Sequence, residues 1–171
     1  MPHWRTLGAV SLVLVAVGCV PLPAHPHRTS AAGCRVGTAW STAYARTHIL
    51  GMLAPGEIQV LHYRLLVRPR RGRPCGSLVL TKELALRRGT GPLHIVEIRD
   101  FYTHGRLVAN HRAFIGHEIT GSGVYEARVT LPIPRQAPPG RYEVVSLLYA
   151  RWGQGSPTLI ARARTRFTVA P

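Results

Sequence analysis

A chain of 171 residues with 22 basic and seven acidic side chains, net charge +15, suits one domain with a lead-in segment. It offers few candidates for a paired-carboxylate mechanism. Beyond residue 20 no apolar stretch approaches the ~20 residues that a bilayer-spanning helix needs.

In residues 1–19, Arg5 supplies a positive start, residues 7–17 an uncharged apolar run, and Ala16-Val17-Gly18-Cys19 a small-residue close. That order is an export signal, too short and one-sided for a spanning helix. The last four residues resemble the lipobox of bacterial lipoproteins, with Ala16 where the family prefers leucine. The resemblance implies cleavage before a diacylglyceryl-modified Cys19, dividing the chain into a signal peptide (1–18), a tether (19–33) and a domain (34–171). Two or more acyl chains hold a protein stably on a membrane, so this lipid would suffice as an anchor. The tether has three prolines and no apolar periodicity, and is semi-extended. Its His25 and His27 read as solvated linker.

From residue 34 onward Gly/Pro clusters recur at 55–56, 69–74, 89–92, 121–123, 138–140 and 153–157. Between them lie runs of about ten residues rich in Val, Leu, Ile, Tyr and Thr, the spacing of a sandwich or barrel. Strands are predicted over 58–68, 77–86, 93–103, 107–115, 124–132, 141–152 and 158–169. Residues 36–50 are ambiguous between a helix and a first strand. Alternation turns Leu61, Tyr63, Leu65 and Val67 inward in the first strand, and Leu78, Leu80, Leu84 and Leu86 in the second, with Lys82 intruding. Tyr125, Ala127, Val129 and Leu131 line one side of a later strand. Leu159, Ala161, Ala163, Phe167 and Val169 face inward in the last. Strand 141–152 is apolar on both sides, as a central strand should be. His104-Gly105 makes a two-residue hairpin turn. Pairing Thr103 with Arg106 sets Tyr102 opposite Leu107 and Ile98 opposite His111.

Gly123-Val124-Tyr125 opens one strand, and Pro138-Pro139-Gly140-Arg141-Tyr142 leads into the next. This passage resembles the E-to-F crossover of immunoglobulin-like sandwiches, with Tyr142 as the corner tyrosine. The resemblance implies an all-β, immunoglobulin-like antiparallel β-sandwich of about seven strands. Val144 stands where antibody domains carry their second cysteine, so their Cys–Trp–Cys core is absent.

With Cys19 taken by lipid, Cys34 and Cys75 remain as an even pair in an oxidising compartment. A bridge between them would stabilise the fold by roughly 3–4 kcal/mol on the chain-entropy model. No GxSxG, HExxH, CxxC or phosphate loop is present, and Glu97 and Asp100 fall on opposite faces of one strand, so the chain is read as non-catalytic and without cofactor.

Arg68, Arg70, Arg71 and Arg73 cluster in a proline-bounded loop and form the candidate anion-binding site. Arg162, Arg164 and Arg166 form a ladder spaced about 6.5–7 Å apart, read as protection of a strand edge. Lys82 is the only lysine and Asn110 the only asparagine, an arginine-rich bias of the kind a GC-rich genome imposes, so the charge has two readings, codon drift and selected binding to anions. Export and the lack of stacking aromatics argue against nucleic acid. The expected protein is lipid-anchored in the cell envelope, facing the periplasm or the exterior, and binds an envelope protein or anionic polymer. The alternative is a periplasmic copper- or zinc-binding protein using His94, His104, His111 and His117, which cluster in one hairpin and its exit.

Overall fold

The computed structural model describes residue 34 and residues 41–171. Cys19, the signal segment and the tether lie outside the described residues.

The described residues form nine strands and no helix. They are β1 (Ala45–His48), β2 (Ile58–Arg68), β3 (Arg71–Gly72), β4 (Ser77–Arg88), β5 (Leu93–Thr103), β6 (Arg106–Phe114), β7 (Gly123–Pro132), β8 (Gly140–Trp152) and β9 (Thr158–Val169). All seven predicted strands are present, three with the predicted bounds. The ambiguous segment contributes β1, and the arginine loop contains β3.

Two sheets stack face to face, ordered β1-β7-β4-β2 and β3-β9-β8-β5-β6. The chain changes sheet at each connection from β2 to β5, and again between β6 and β7 and between β7 and β8, while β5–β6 and β8–β9 are hairpins. This is an immunoglobulin-like β-sandwich, in which short β3 runs parallel to β9 and all other pairings are antiparallel. Alternation is strict in β4, where every second residue from Leu78 to Arg88 is buried. The crossover holds as expected: the Tyr142 hydroxyl donates to the Pro138 carbonyl at 2.9 Å, and its ring stacks on Phe167. A second tyrosine does the same work before β7, where the Tyr125 hydroxyl donates to Gly121 O at 2.6 Å.

Three bulges correct the predicted faces. The β2–β4 register slips between Val60 and His62, so Val60 packs on the core and Leu61 is 50% exposed. In β9 the slip at Ile160 turns Leu159 out of the core, 48% exposed. The His104-Gly105 turn forms, both residues at positive φ, with Thr103 opposite Arg106 and Tyr102 opposite Leu107. Val108 is then extra, so Phe101 pairs with Ala109, and His111 faces Arg99 rather than Ile98.

The core falls into two clusters. One gathers Leu65, Val67, Leu80, Val144 and Phe167, and the other Leu84, Leu86, Ile95, Tyr125 and Leu148. Between them a charged group bridges the sheets. Lys82 Nζ of β4 meets Glu97 Oε2 of β5 at 2.8 Å, Arg99 Nε lies 3.6 Å from Glu97 Oε1, and Ser146 Oγ donates to that same oxygen at 2.8 Å. The Tyr63 hydroxyl is 2.7 Å from Ser146 Oγ, and Lys82 sits over the Tyr44 ring.

Candidate functional site

Pro69 ends the pairing of β2 with β4 by removing a backbone donor. The chain then crosses to the other sheet, where Thr168 N donates to Arg70 O at 2.9 Å and Ala170 N to Gly72 O at 2.8 Å. A Cβ at Gly72 would press on the side-chain ends of Ile133 and Leu78, which would have to shift to admit it. The segment closes with Gly76 N donating to Arg73 O, and it locks to the end of β7 through Cys75 N to Ile133 O and Ile133 N to Gly76 O, each 2.9 Å. Cys75 sits at φ 64° and is disulfide-bonded to Cys34, with Cα atoms 5.0 Å apart. The two sequence-predicted groups are therefore one unit: the arginine loop is stapled to the residue at which the predicted tether joins the domain.

Two further connections reach the same end. The β5–β6 turn carries Arg106, and the β7–β8 corner carries Arg135 and leads to Arg141. They touch, because Thr103 Oγ1 donates to Arg141 O at 3.1 Å and the His104 ring abuts Gly140. Arg68, Arg70, Arg71, Arg73, Arg106, Arg135 and Arg141 are all exposed. Among the described residues none of the seven guanidinium groups engages a carboxylate or a carbonyl. None of these connections carries an acidic side chain.

The opposite end is built otherwise. Its connections carry Glu57 and Glu118, Arg87 donates to Gly51 O at 3.1 Å, and the Arg88 guanidinium donates to the carbonyls of Ile119 and Gly91 at 2.8 and 2.7 Å. Those arginines serve the fold, whereas those of the first end have no such partner among the described residues. Sequence reasoning found four of the seven, because four fall in six consecutive residues. Arg106, Arg135 and Arg141 join them only through topology.

The Arg162, Arg164 and Arg166 ladder is exposed on β9, which β3 covers only at Thr168 and Val169. Two of its members are engaged: Glu143 lies 3.0 Å from Arg166 and 4.0 Å from Arg164.

The four histidines do not converge. His94 and His117 each pack a ring 5.7 Å from Phe114, His104 occupies the β5–β6 turn, and His111 Nδ1 lies 2.7 Å from an Arg99 guanidinium nitrogen. Partial burial and the neighbouring Arg99 charge hold the His111 imidazole below its ordinary range. Among the described residues no three His, Cys, Asp or Glu side chains form a metal-sized group.

The buried Lys82–Glu97 group is sealed from solvent. Burial alone would raise the Glu97 pKa, but Lys82, Arg99 and the hydrogen bonds it accepts hold it below the ordinary carboxylate value. Burial lowers the Lys82 pKa, against the pull of Glu97. Such a closed group ties the sheets together and admits no substrate. Its signal in the sequence was Lys82 alone on an apolar face, which demands an inward carboxylate somewhere opposite.

No protein-family model and no curated protein matches this sequence. Solved structures share the general architecture at low similarity. The CARDB domain of a Pyrococcus furiosus protein, in complex with di-metal ions, is 9% identical over 70% of this chain and 97% of its own, with a TM-score of 0.44. The Pseudomonas fluorescens alkylpurine DNA glycosylase AlkC, bound to DNA containing an abasic site analogue, is 18% identical over 69% of this chain and 32% of its own, with a TM-score of 0.39. At those scores the likeness carries no ligand or activity across.

Proposed function

We propose that this chain is a lipid-anchored, non-catalytic binding module of the cell envelope, facing the periplasm or exterior, that holds an anionic envelope component at its arginine-bearing end. The observation that supports it is the Cys34–Cys75 bond, which joins the arginine loop to the domain's entry point. Cys34 follows Cys19 by 15 residues. Even fully extended at ~3.3 Å per residue, that is a leash of roughly 50 Å, so a lipid on Cys19 keeps the domain near the surface. Exposed guanidinium groups take phosphates and carboxylates in forks.

Two measurements test the reading. Cys19→Ser should leave an unprocessed precursor that takes up no labelled palmitate; equal labelling of the variant would overturn the anchor. Glutamine at Arg68, Arg70, Arg71 and Arg73 should weaken retention of an anionic envelope extract, and glutamine at Arg162, Arg164 and Arg166 should not. Equal loss from both sets would mean that general basicity, not this end, does the binding.

A further inference from the structure

The arginine-bearing end also holds an apolar hollow. A groove of about 390 Å³ opens between the sheets, walled by Phe101, Val108, Leu131, Ala137, Tyr142 and Phe167. No charged side chain lines it, and the Tyr142 hydroxyl is occupied by the Pro138 carbonyl. Val108, the extra residue of the β6 bulge, lines the groove and is 52% exposed, and its neighbour Leu107 is 53% exposed. Gly72 packs on Ile133 and Leu78, which also line the groove, so Arg71 and Arg73 flank it on one side. Arg135 lies between the lining residues Pro134 and Gln136, Arg106 lies two residues before Val108, and Arg141 precedes Tyr142 on the other face of β8, beside Glu143.

An apolar slot among exposed cations is complementary to an amphiphile with an anionic head. We infer that this end of the sandwich seats on an anionic phospholipid bilayer, its seven arginines on headgroup phosphates and its groove around one acyl chain. The inference rests on the lipid-anchor reading for its geometry, since the disulfide holds this same end toward the leash. A soluble polyanion would use the arginines and leave the groove empty. A bilayer uses both, and two weak membrane signals together give stable seating. Each basic side chain near an anionic surface strengthens partition roughly fivefold.

The test uses full-length protein processed in a bacterium and purified from its envelope. Val108→Cys and, at the opposite end, Ser156→Cys carry a fluorophore, and the vesicles are phosphatidylcholine alone or mixed with phosphatidylglycerol, with brominated acyl chains. The label at position 108 should be quenched on the mixed vesicles only, and the label at 156 on neither. Glutamine at all seven arginines should abolish the quenching. Ala137→Trp, which fills the groove, should reduce it while flotation persists. No quenching at 108 on the mixed vesicles, or equal quenching at both positions, overturns the docking surface. Failure to float with phosphatidylcholine vesicles overturns the anchor instead, and the quenching result on mixed vesicles stands separately from it.

Discussion

Lys82 and Glu97 belong to different sheets, yet their charged atoms meet at 2.8 Å with 3% and 0% of their side chains exposed. The pair is not symmetrical. Glu97 is the sole carboxylate between two cations, whereas Lys82 shares its carboxylate with Arg99. Glu97→Gln leaves Lys82 and Arg99 facing one another uncompensated, and should cost about 3–5 kcal/mol, as breaking a buried pair does. Lys82→Met leaves Glu97 with Arg99 and Ser146, and should cost less. Urea midpoints of the two variants compare them; a Lys82→Met loss equal to that of Glu97→Gln would mean that Arg99 contributes nothing.

Acid stability should fall in two stages. The folded-state pKa of His111 lies below the ordinary 6.5, so below that pH the unfolded chain takes up a proton that the folded one refuses, and stability starts to drop. Glu97 likewise titrates below the ordinary 4.5, so its contribution is present above that value and disappears as pH falls through the depressed pKa. Melting temperature followed from pH 7 to 3 should show both stages. His111→Gln should erase the upper one and leave the lower; an unchanged upper stage would assign it to another histidine.

The Cys34–Cys75 bond spans a sequence separation of 41 residues. Loop closure on that scale contributes about 4 kcal/mol on the chain-entropy model, so Cys75→Ala should cost roughly 2–5 kcal/mol. Thiol counting on denatured, unreduced mature protein should find neither cysteine free. Two free thiols would contradict the bond.

Tyr142→Phe keeps the stack on Phe167 and removes only the hydroxyl bond to Pro138 O. A loss of about 0.5–1.5 kcal/mol is expected, with no change in urea dependence. A loss within experimental error would mean that the β7–β8 corner is held by its prolines alone.

Strand positions were legible because Gly and Pro interrupt the chain wherever the sheets end, and the β5–β6 turn because His104-Gly105 suits positive φ. Tyr142 was legible from its place after a proline-rich corner. The bulges were not. Leu61, Val108 and Ile160 are ordinary strand residues, and the extra residue shifts alternation without any mark in composition. Alternation also names a face without naming the residue opposite, so Lys82 was seen to point inward while its partner was not. The arginine end was visible only in part, since neighbours in sequence show themselves and neighbours through a sandwich do not.

The disulfide also sets how load enters the domain. A pull on the chain ahead of Cys34 passes through sulfur to Cys75, two residues before β4, a strand paired along its length on both sides. The four residues of β1, the outermost strand of their sheet, stand off that line of force. While the bond is intact, tugging does not peel β1 from β7. Once it is reduced, the same tug reaches the Ser41–Val129 bridge and then β1, and the sandwich opens from that edge.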